Sequence, residues 1–178
     1  MAYTGIHLPR GYTVEVKDNS TWVDLGVTMD AGTLEVSYET TKITGSKAER
    51  ILTAFREFSV SATFTLAQIK LGNLHLLMSG ATDLTETAGV SKSLSMGSNS
   101  VEITPRALRI SKNLGTEADP ELFSVEIYSA INEGGLSLAF PRYDEEDITT
   151  LEITLTGQLD TTRSDLDQLL KITDETEA

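Results

Sequence analysis

The chain has no cysteine and little positive charge. Without cysteine among its 178 residues, it cannot form disulfides, thiol nucleophiles or cysteine-ligated metal sites. Lys and Arg together number 14 against 27 Asp and Glu, so the formal net charge is 14 − 27 = −13. A surface that holds nucleic acid through its phosphates needs clustered basic side chains. Specific nucleic-acid binding is therefore not expected.

Long apolar runs are also missing. No run approaches the roughly 18 residues that a transmembrane helix needs. The first residues, MAYTGIHLPRG, lack the basic and apolar regions of a signal peptide. We therefore expect a protein that is made in a cytoplasm and does not insert into a membrane.

Several segments instead alternate apolar and polar residues at the period of a β-strand. The clearest are TVEVK, TLEVSYET and TLEITLTGQLD. Further strands are expected at 122–130 and 135–140 and, shorter, in WVDLGVT, SKSLSM and VEIT. The pattern predicts one mainly β domain over 1–178, an antiparallel β-sandwich or flattened barrel. Its expected core positions on the three clearest strands are Val14, Val16, Leu34, Val36, Tyr38, Leu151, Ile153, Leu155 and Leu159.

One α-helix is predicted over about 66–78, directly after a strand. Thr65 and Gln68 have the spacing of a capping box, and Ser79-Gly80 supplies a glycine stop. Ile69 and Leu76 form a second apolar stripe beside the main one. Either the helix is buried nearly all round, or this stripe contacts another subunit. The main apolar arc consists of Leu66, Ala67, Leu71, Leu74, Leu77 and Met78.

The segment 41–57 has two interpretations. Ser46 and Glu49 match a capping box, and Ala48, Ile51, Leu52 and Phe55 have helical spacing, which predicts a short amphipathic helix. Alternatively, the segment is a long loop between two strands. It gathers several of the few basic residues, which suit either docking onto an acidic surface of another copy or an ordinary solvated loop. The basic residues are Lys42, Lys47, Arg50 and Arg56.

The strand that follows carries only hydroxyls on its polar side: Ser59, Ser61, Thr63 and Thr65. Uncharged, β-favouring side chains suit a face or an edge that meets a neighbouring molecule. Ser and Thr faces also occur on monomers.

Candidate catalytic and metal-binding residues are few. Only His7 and His75 are histidines, and nothing in the sequence brings either one near the acid and the nucleophile of a triad. The run Asp144–Asp147 lacks the spaced ligands of a calcium loop. No phosphate-binding, zinc-protease or hydrolase motif occurs. We expect no catalytic residue, no metal site and no cofactor.

The order of these elements resembles that of a known family. The run VSATFTLAQIKLGNLHLLMSG follows TLEVSYET and a long loop, and WVDLGVTMDAGTLEV precedes it. This order resembles the major tail tube proteins of long-tailed bacteriophages. Related tubes occur in contractile tails and in the type VI secretion apparatus.

The resemblance implies a β-sandwich with one flanking helix, of which six copies form a ring. Rings stack into a tube whose channel passes viral DNA into the host without specific binding. The segment 41–57 and the arms 1–10 and 160–178 would contact the next ring, and Ile69 and Leu76 the neighbouring subunit. The contact residues implied within 41–57 are Lys42, Ile43, Lys47, Arg50, Ile51, Phe55 and Arg56.

Glutamates are the implied lining of the channel, because an acidic wall repels DNA and a basic wall would hold it. Other partners implied are the tape-measure, tail terminator and baseplate proteins. The implied location is the tail of a virion, after assembly in the host cytoplasm. The candidate lining residues are Glu35, Glu39, Glu126 and Glu152.

Two other function classes remain. A monomeric β-sandwich binding module, such as a carbohydrate-binding or capsid-decorating domain, would expose several aromatic side chains, and Trp22 is the sole tryptophan. A hydrolase with paired carboxylates would need an anchoring motif, and no pair of acids is singled out by the sequence.

Overall fold

The structure is a computed structural model that describes residues 6–7, 11–29, 32–44, 51–67, 71–78, 82–88, 91–96, 104–115, 121–133, 136–139, 150–164 and 167–175. Within these ranges it contains a ten-stranded antiparallel sheet, a two-stranded sheet and one helix. The elements are β1 (Ile6–His7), β2 (Thr13–Asp18), β3 (Thr21–Asp24), β4 (Thr33–Thr44), β5 (Ile51–Leu66), α1 (Leu71–Leu77), β6 (Thr82–Thr87), β7 (Ser91–Met96), β8 (Arg106–Asn113), β9 (Leu122–Ile131), β10 (Leu136–Ala139), β11 (Thr150–Gly157) and β12 (Leu170–Asp174).

The large sheet is open. Its strands follow the order β1-β4-β5-β11-β9-β8-β2-β3, while β10 pairs with β11 and β12 pairs with β9. The small sheet is the hairpin β6–β7. The predicted class, a mainly β antiparallel domain with one helix, is confirmed, and the sheet is not closed into a barrel.

A single hydrophobic core joins the two halves of the large sheet. One half, β4–β5–β11, contributes Leu34, Phe64 and Ile153, and the other, β2–β8–β9, contributes Val14 and Ile127. All five are almost fully buried and belong to one cluster. Because side chains alternate along a strand, each half turns one face into this core and the other face outward.

Gly157 lies where the two halves meet. It is opposite Val60 on β5 and opposite Ala130 on β9, so β11 has strands on both sides there. A Cβ atom at this position would collide with Val60 Cγ1 and lie 3.0 Å from Ile127 Cγ2. Only glycine therefore lets the two core layers approach this closely.

The chain after β3 connects the sheet to the helix. Thr28 forms a bridge with Leu66, and the Met29 amide donates to the carbonyl oxygen of Thr65 at 3.0 Å. Asn73 on α1 is buried, and its Nδ2 donates to the carbonyl oxygens of Asp24 at 3.1 Å and Leu25 at 2.9 Å. These two bonds fix the helix over the end of β3.

The predicted start of the helix was wrong. Thr65 is opposite Glu152 in the sheet and Leu66 is the last residue of β5, so neither caps nor begins a helix. The described helix begins at Leu71 and ends at Leu77. Backbone pairing with β11 outweighs the local capping pattern, because it satisfies the same backbone groups within a buried sheet. Gln68, Ser79 and Gly80 lie outside the described residues.

Both interpretations of 41–57 need correction. Strands β4 and β5 continue through most of the segment and remain paired as far as Thr44 opposite Ile51. The residues with helical spacing that are described, Ile51, Leu52 and Phe55, are therefore in a strand. Cross-strand pairing supplies the backbone hydrogen bonds that a helix would form within itself and that a loop would have to find elsewhere. Residues 45–50, between the two strands, lie outside the described residues.

Two expected core residues point into solvent. Tyr38 is 38% exposed because the β4–β5 hairpin extends past the end of β11, and Leu159 is 57% exposed because β11 ends at Gly157. The other expected core positions of these three strands are buried, except for the half-buried Val36.

Thr104 is the one described residue of the expected strand VEIT, and it is not part of a strand. The next strand along the chain is β8. The expected strand 135–140 is confirmed as β10, which pairs with β11. In the C-terminal segment, expected to form an arm over 160–178, residues 170–174 form β12 on β9.

Candidate assembly surfaces

The outward side of β4, β5 and β11 carries hydroxyls. Ser37 and Ser59 share a hydrogen bond of 2.5 Å between their Oγ atoms, and Thr63 and Thr154 share one of 3.0 Å. Each pair spans two neighbouring strands. We call this side the hydroxyl face; its members are Thr33, Glu35, Ser37, Glu39, Ser59, Ser61, Thr63, Thr65, Glu152, Thr154 and Thr156.

Three of the four candidate lining glutamates lie on the hydroxyl face. Glu35 is opposite Ser61, Glu39 is opposite Glu57, and Glu152 is opposite Thr65. All three are exposed. No Lys or Arg is among the members of this face, so its charge is negative at neutral pH. Glu126 lies elsewhere, on β9.

The outward side of β3, β2, β8, β9 and β12 carries paired charges instead. Along one row of the register, Asp24, Glu15, Arg109, Glu126 and Lys171 are neighbours on successive strands. Glu126 is thus flanked by cations on both sides. We call this side the charged face; it comprises these five residues with Lys17 and Trp22.

Arg109 is the centre of the charged face. Its Nε and Nη2 both lie 2.7 Å from Glu15 Oε2, and its guanidinium carbon lies 4.4 Å from the centre of the Trp22 ring. Lys17 Nζ lies 5.6 Å from the same ring. The half-buried Trp22 is therefore covered by two cations and contributes cation–π attraction within the sheet.

The strand order of the open sheet ends in two edges that have no partner strand among the described residues. Strand β1 pairs with β4 only at Thr33 and Leu34, so β4 from Glu35 onward pairs on its other side alone, with β5. At the opposite end of the strand order, β3 pairs only with β2. Such edges present free backbone donors and acceptors to another strand.

The β4–β5 hairpin carries the residues that the resemblance places between rings. Lys42 is opposite Thr53, Ile43 is opposite Leu52, and Ile51 and Phe55 lie on β5. Arg56 is the extra residue where the register shifts, since Glu39 is opposite Glu57 and Thr40 is opposite Phe55. Lys47 and Arg50 lie outside the described residues.

An aromatic pair marks the base of this hairpin. Tyr38 and Phe58 lie opposite each other with ring centres 6.0 Å apart, and Phe58 is 49% exposed. Two large rings at the exposed end of a strand pair offer apolar area to a neighbouring molecule. Sequence alternation wrongly predicted that Tyr38 is covered by the core. Alternation along one strand does not show where that strand extends beyond the end of the strand next to it.

Of the second apolar stripe predicted on the helix, Ile69 and Leu76, only Leu76 is among the described residues. Leu76 is half-buried and packs against the core cluster. This position favours the interpretation of a helix buried nearly all round over a subunit contact through Leu76. Ile69 lies outside the described residues.

The C-terminal segment is attached to β9 by a polar cluster. Tyr128 donates its hydroxyl to Asp167 Oδ1 at 2.5 Å, and the Arg163 guanidinium carbon lies 3.4 Å from the centre of the Tyr128 ring. Arg163 also pairs with Asp167 at 3.2 Å and with Asp160 at 3.3 Å. Burial of the phenol, followed by its hydrogen bond to Asp167, raises the pKa of Tyr128 to about 12. Tyr128 therefore stays neutral, and its hydroxyl group remains the donor of this hydrogen bond.

Asp160 fixes the start of this segment. Its Oδ1 accepts hydrogen bonds from the Thr162 amide at 3.0 Å and the Thr162 hydroxyl at 2.6 Å. These bonds lower the pKa of the Asp160 carboxyl. Sequence reasoning missed the whole cluster; the only signal in the sequence was that Asp160, Arg163 and Asp167 are three and four residues apart, the spacing of side chains on one face of a helix.

Features of an active site are sparse in the described part of the chain. Among those residues, no three His, Asp or Glu side chains are grouped to hold a metal ion. An open cavity of about 250 Å³ lies between β2 and the chain after β3, lined by 11–13, Asp24 and 26–28. Asp24 Oδ1 accepts a hydrogen bond from the Gly26 amide there. His75, on α1, is outside this lining. The run 144–147 lies outside the described residues.

No described helix has the length and apolar character that a membrane crossing requires.

The fold is similar to chains of contractile injection systems. A chain of the sheath–tube complex of an extracellular contractile injection system (PVC, extended state) matches with a TM-score of 0.54 at 14% identity, over 93% of this chain and 90% of that one. A chain from the tube-terminating cap of the anti-feeding prophage matches with a TM-score of 0.55 at 10% identity, over 98% and 95%. No protein-family model matches the chain, and no curated protein matches it. At sequence identities this low, the similarity shows a shared fold alone.

Proposed function

We propose that this protein is a structural subunit of a tube, that six copies form each ring, and that it has no catalytic role. The observation that carries the proposal is the open sheet, whose two end strands have unpartnered edges in the described residues. Similarity of fold to injection-system chains over nearly the whole length supports it. An open edge on a protein that works alone would favour aggregation, whereas a ring uses it.

The ring contact is head to tail. The free edges of β4 and β3 lie at opposite ends of the strand order. A contact between β4 of one copy and β3 of the next uses two different surfaces, and such contacts close into a ring when the rotation divides a circle. The aromatic pair Tyr38 and Phe58 lies beside the β4 edge and adds apolar area to this contact.

Stacking uses the β4–β5 hairpin, with 1–10 and 160–178 as further contacts. The hairpin extends beyond the end of β11, so its far end is free to reach the next ring. Lys42, Lys47, Arg50 and Arg56 would meet acidic surface there, because the chain as a whole carries a charge of −13. Ile43, Ile51 and Phe55 would supply apolar contact.

The hydroxyl face lines the channel. Glu35, Glu39 and Glu152 give it negative charge, and no basic side chain is among its members. DNA passing such a wall is repelled weakly and finds no cation to displace its counterions. Glu126 belongs to the charged face, where it is flanked by Arg109 and Lys171, so we assign it a structural role.

The proposed location is the tail of a virion or of a tail-like injection particle, assembled in the host cytoplasm. Tape-measure, terminator and baseplate proteins are the proposed partners, the first inside the channel and the others at the ends of the tube. The binding-module alternative is not favoured by the described residues, since the only tryptophan is covered by Lys17 and Arg109.

The experiment is electron microscopy of the purified protein at high concentration, with and without Ser37→Lys. We expect rings or tubes of uniform diameter for the natural protein. The variant should remain a folded monomer, because a lysine at the exposed β4 edge opposes strand pairing. Ser93→Lys, the same change on the exposed β7, is the control and should still assemble. A natural protein that stays monomeric at all concentrations would contradict the proposal.

A further inference from the structure

Strand β9 has one edge that two different strands share. On this edge β11 pairs with β9 only at Ala130 and Ile131. Strand β12, from the C-terminal segment, covers the remaining length from Phe123 to Ile127. If β12 were absent, that part of β9 would be a further open edge of the sheet.

The contacts of β12 are chiefly between backbones. Five residue pairs are in register, and the Glu175 amide adds a hydrogen bond to the Leu122 carbonyl at 3.1 Å. Lys171 is exposed and Ile172 is 46% exposed, while Leu170 alone packs partly against the core. An extended segment that adds to a sheet edge in this way can be replaced by another copy of the same segment.

The register of β12 on β9 is stabilised by opposite charges that face each other across the strands. Lys171 is opposite Glu126, and Glu126 is also opposite Arg109 on its other side. Opposite charges directly across strands stabilise one register, and a shift by one residue would remove this pairing. A second copy of β12 carries the same lysine and would therefore select the same register.

Outside β12, Leu169 packs partly against the core, and a polar cluster holds the segment that leads to β12. Tyr128, Arg163 and Asp167 form this cluster, with Arg163 and Asp167 more than a third exposed in their side chains. Exposed ion pairs contribute little to stability. Apart from Leu169 and Leu170, which pack partly against the core, the segment is thus held in one place by contacts that can open at little cost.

We infer that the β9 edge at 122–127 is a strand-accepting site, and that in the assembled protein it binds β12 of a second copy. Exchange re-forms every contact that β12 makes within its own chain, so little contact energy is lost. The inference rests on the proposed function only in that assembly brings the second copy near. It would link subunits of stacked rings, where 160–178 is proposed to make contact, by their C-terminal strands.

The absence of cysteine from the natural chain makes a direct test possible. Ser124 and Thr173 are opposite each other on β9 and β12, within the Cα separation that a disulfide spans. The variants Ser124→Cys and Thr173→Cys are made separately in the full chain, mixed in equal amounts, allowed to assemble and oxidised. A disulfide between the two variants forms only when β12 of one copy lies on β9 of another.

The expected result is a covalent dimer in the assembled mixture that is absent from either variant alone. A mixture of Thr63→Cys with Thr154→Cys is the control: these residues are opposite each other on β5 and β11, which remain in one chain, so no dimer should form. Electron microscopy of the same samples reports assembly separately. Tubes without the dimer would overturn the inference and leave the proposed function intact. The dimer without tubes would support the inference and overturn the proposed function, and neither product would overturn both.

A second variant keeps the test independent of assembly. Tyr128→Phe removes the hydrogen bond to Asp167 and should increase the rate of dimer formation in the soluble mixture about tenfold. Thr87→Val, which removes an exposed hydroxyl on β6 away from this cluster, should leave this rate unchanged. An equal rate for Tyr128→Phe and the parent mixture would contradict the role of the polar cluster in holding β12.

Discussion

The two outward faces of the large sheet are built from different chemistry. The hydroxyl face joins its strands by neutral pairs such as Thr63 with Thr154, whereas the charged face joins its strands through Arg109, Glu15 and Trp22. Neutral hydroxyl pairs are hardly affected by salt and can be remade with a neighbouring molecule. Charged pairs that pack on an aromatic ring are directional, and they leave few polar groups free to bind a neighbouring molecule.

The difference indicates which face can be used for another purpose. The charged face satisfies its own groups, so covering it with a second molecule would require desolvating ion pairs. The hydroxyl face can lie against neighbours or line a channel at little cost, because its groups are small and neutral apart from the glutamates. Three changes test this comparison, from the largest expected effect to the smallest.

Gly157→Ala acts at the border between the two halves and should have the largest effect. The added methyl group collides with Val60 and approaches Ile127, so we expect a loss of about 3 kcal/mol in the free energy of unfolding, measured by urea denaturation. Gly72→Ala is the matched control. A Cβ atom there meets nothing within 4 Å, and alanine in the helix should raise stability by about 0.5–1 kcal/mol. Equal effects of the two changes would contradict the close approach at Gly157.

Arg109→Met breaks the charged face and should have an intermediate effect. It leaves Glu15 without its cation and uncovers one side of Trp22, so we expect a loss of about 1–2 kcal/mol. The loss should shrink in 1 M salt, because salt already weakens the natural pair. Lys92→Met, which breaks the well-exposed pair with Glu86, should change stability by less than about 0.5 kcal/mol. A loss that does not depend on salt would mean that Arg109 acts by packing alone.

Thr154→Val breaks the hydroxyl face and should have the smallest effect. It removes the bond to Thr63 but keeps the shape and the β preference of the side chain, so we expect a loss of about 0.5–1 kcal/mol with no salt dependence. Thr87→Val on the exposed β6 is the control and should be nearly neutral. A larger loss than for Arg109→Met would reverse the comparison between the faces.

The sequence predicts the inner side of the sheet better than its outer side. Alternation correctly places Val14, Val16 and Ile153 in the core, because burial acts on each strand separately. It fails at Tyr38 and Leu159, because whether an alternating residue is covered depends on the length of the next strand. The strand β8 could have been found, since Leu108 and Ile110 alternate with polar residues in RALRISKN.

Long-range pairs explain most of the remaining failures. Arg109 and Glu15 are separated by 94 residues, and nothing near either residue in the sequence specifies the other. The same holds for Thr65, whose local pattern indicates a helix cap while its partner Glu152 makes it part of a sheet. The charged face and the cluster around Tyr128 were therefore invisible, and the hydroxyl face was visible because its members follow one another along single strands.

The register shift at Arg56 separates the hairpin into two independent parts. Residues before the shift are aligned by their packing on the sheet, and those beyond it are aligned only with each other. A bulge bends and twists the strand that contains it. The extra residue, Arg56, therefore sets the direction in which the outer part of the hairpin extends. Insertions or deletions between Thr44 and Ile51 can then accumulate over evolutionary time without moving the core out of alignment, which lets one scaffold fit differently spaced neighbours.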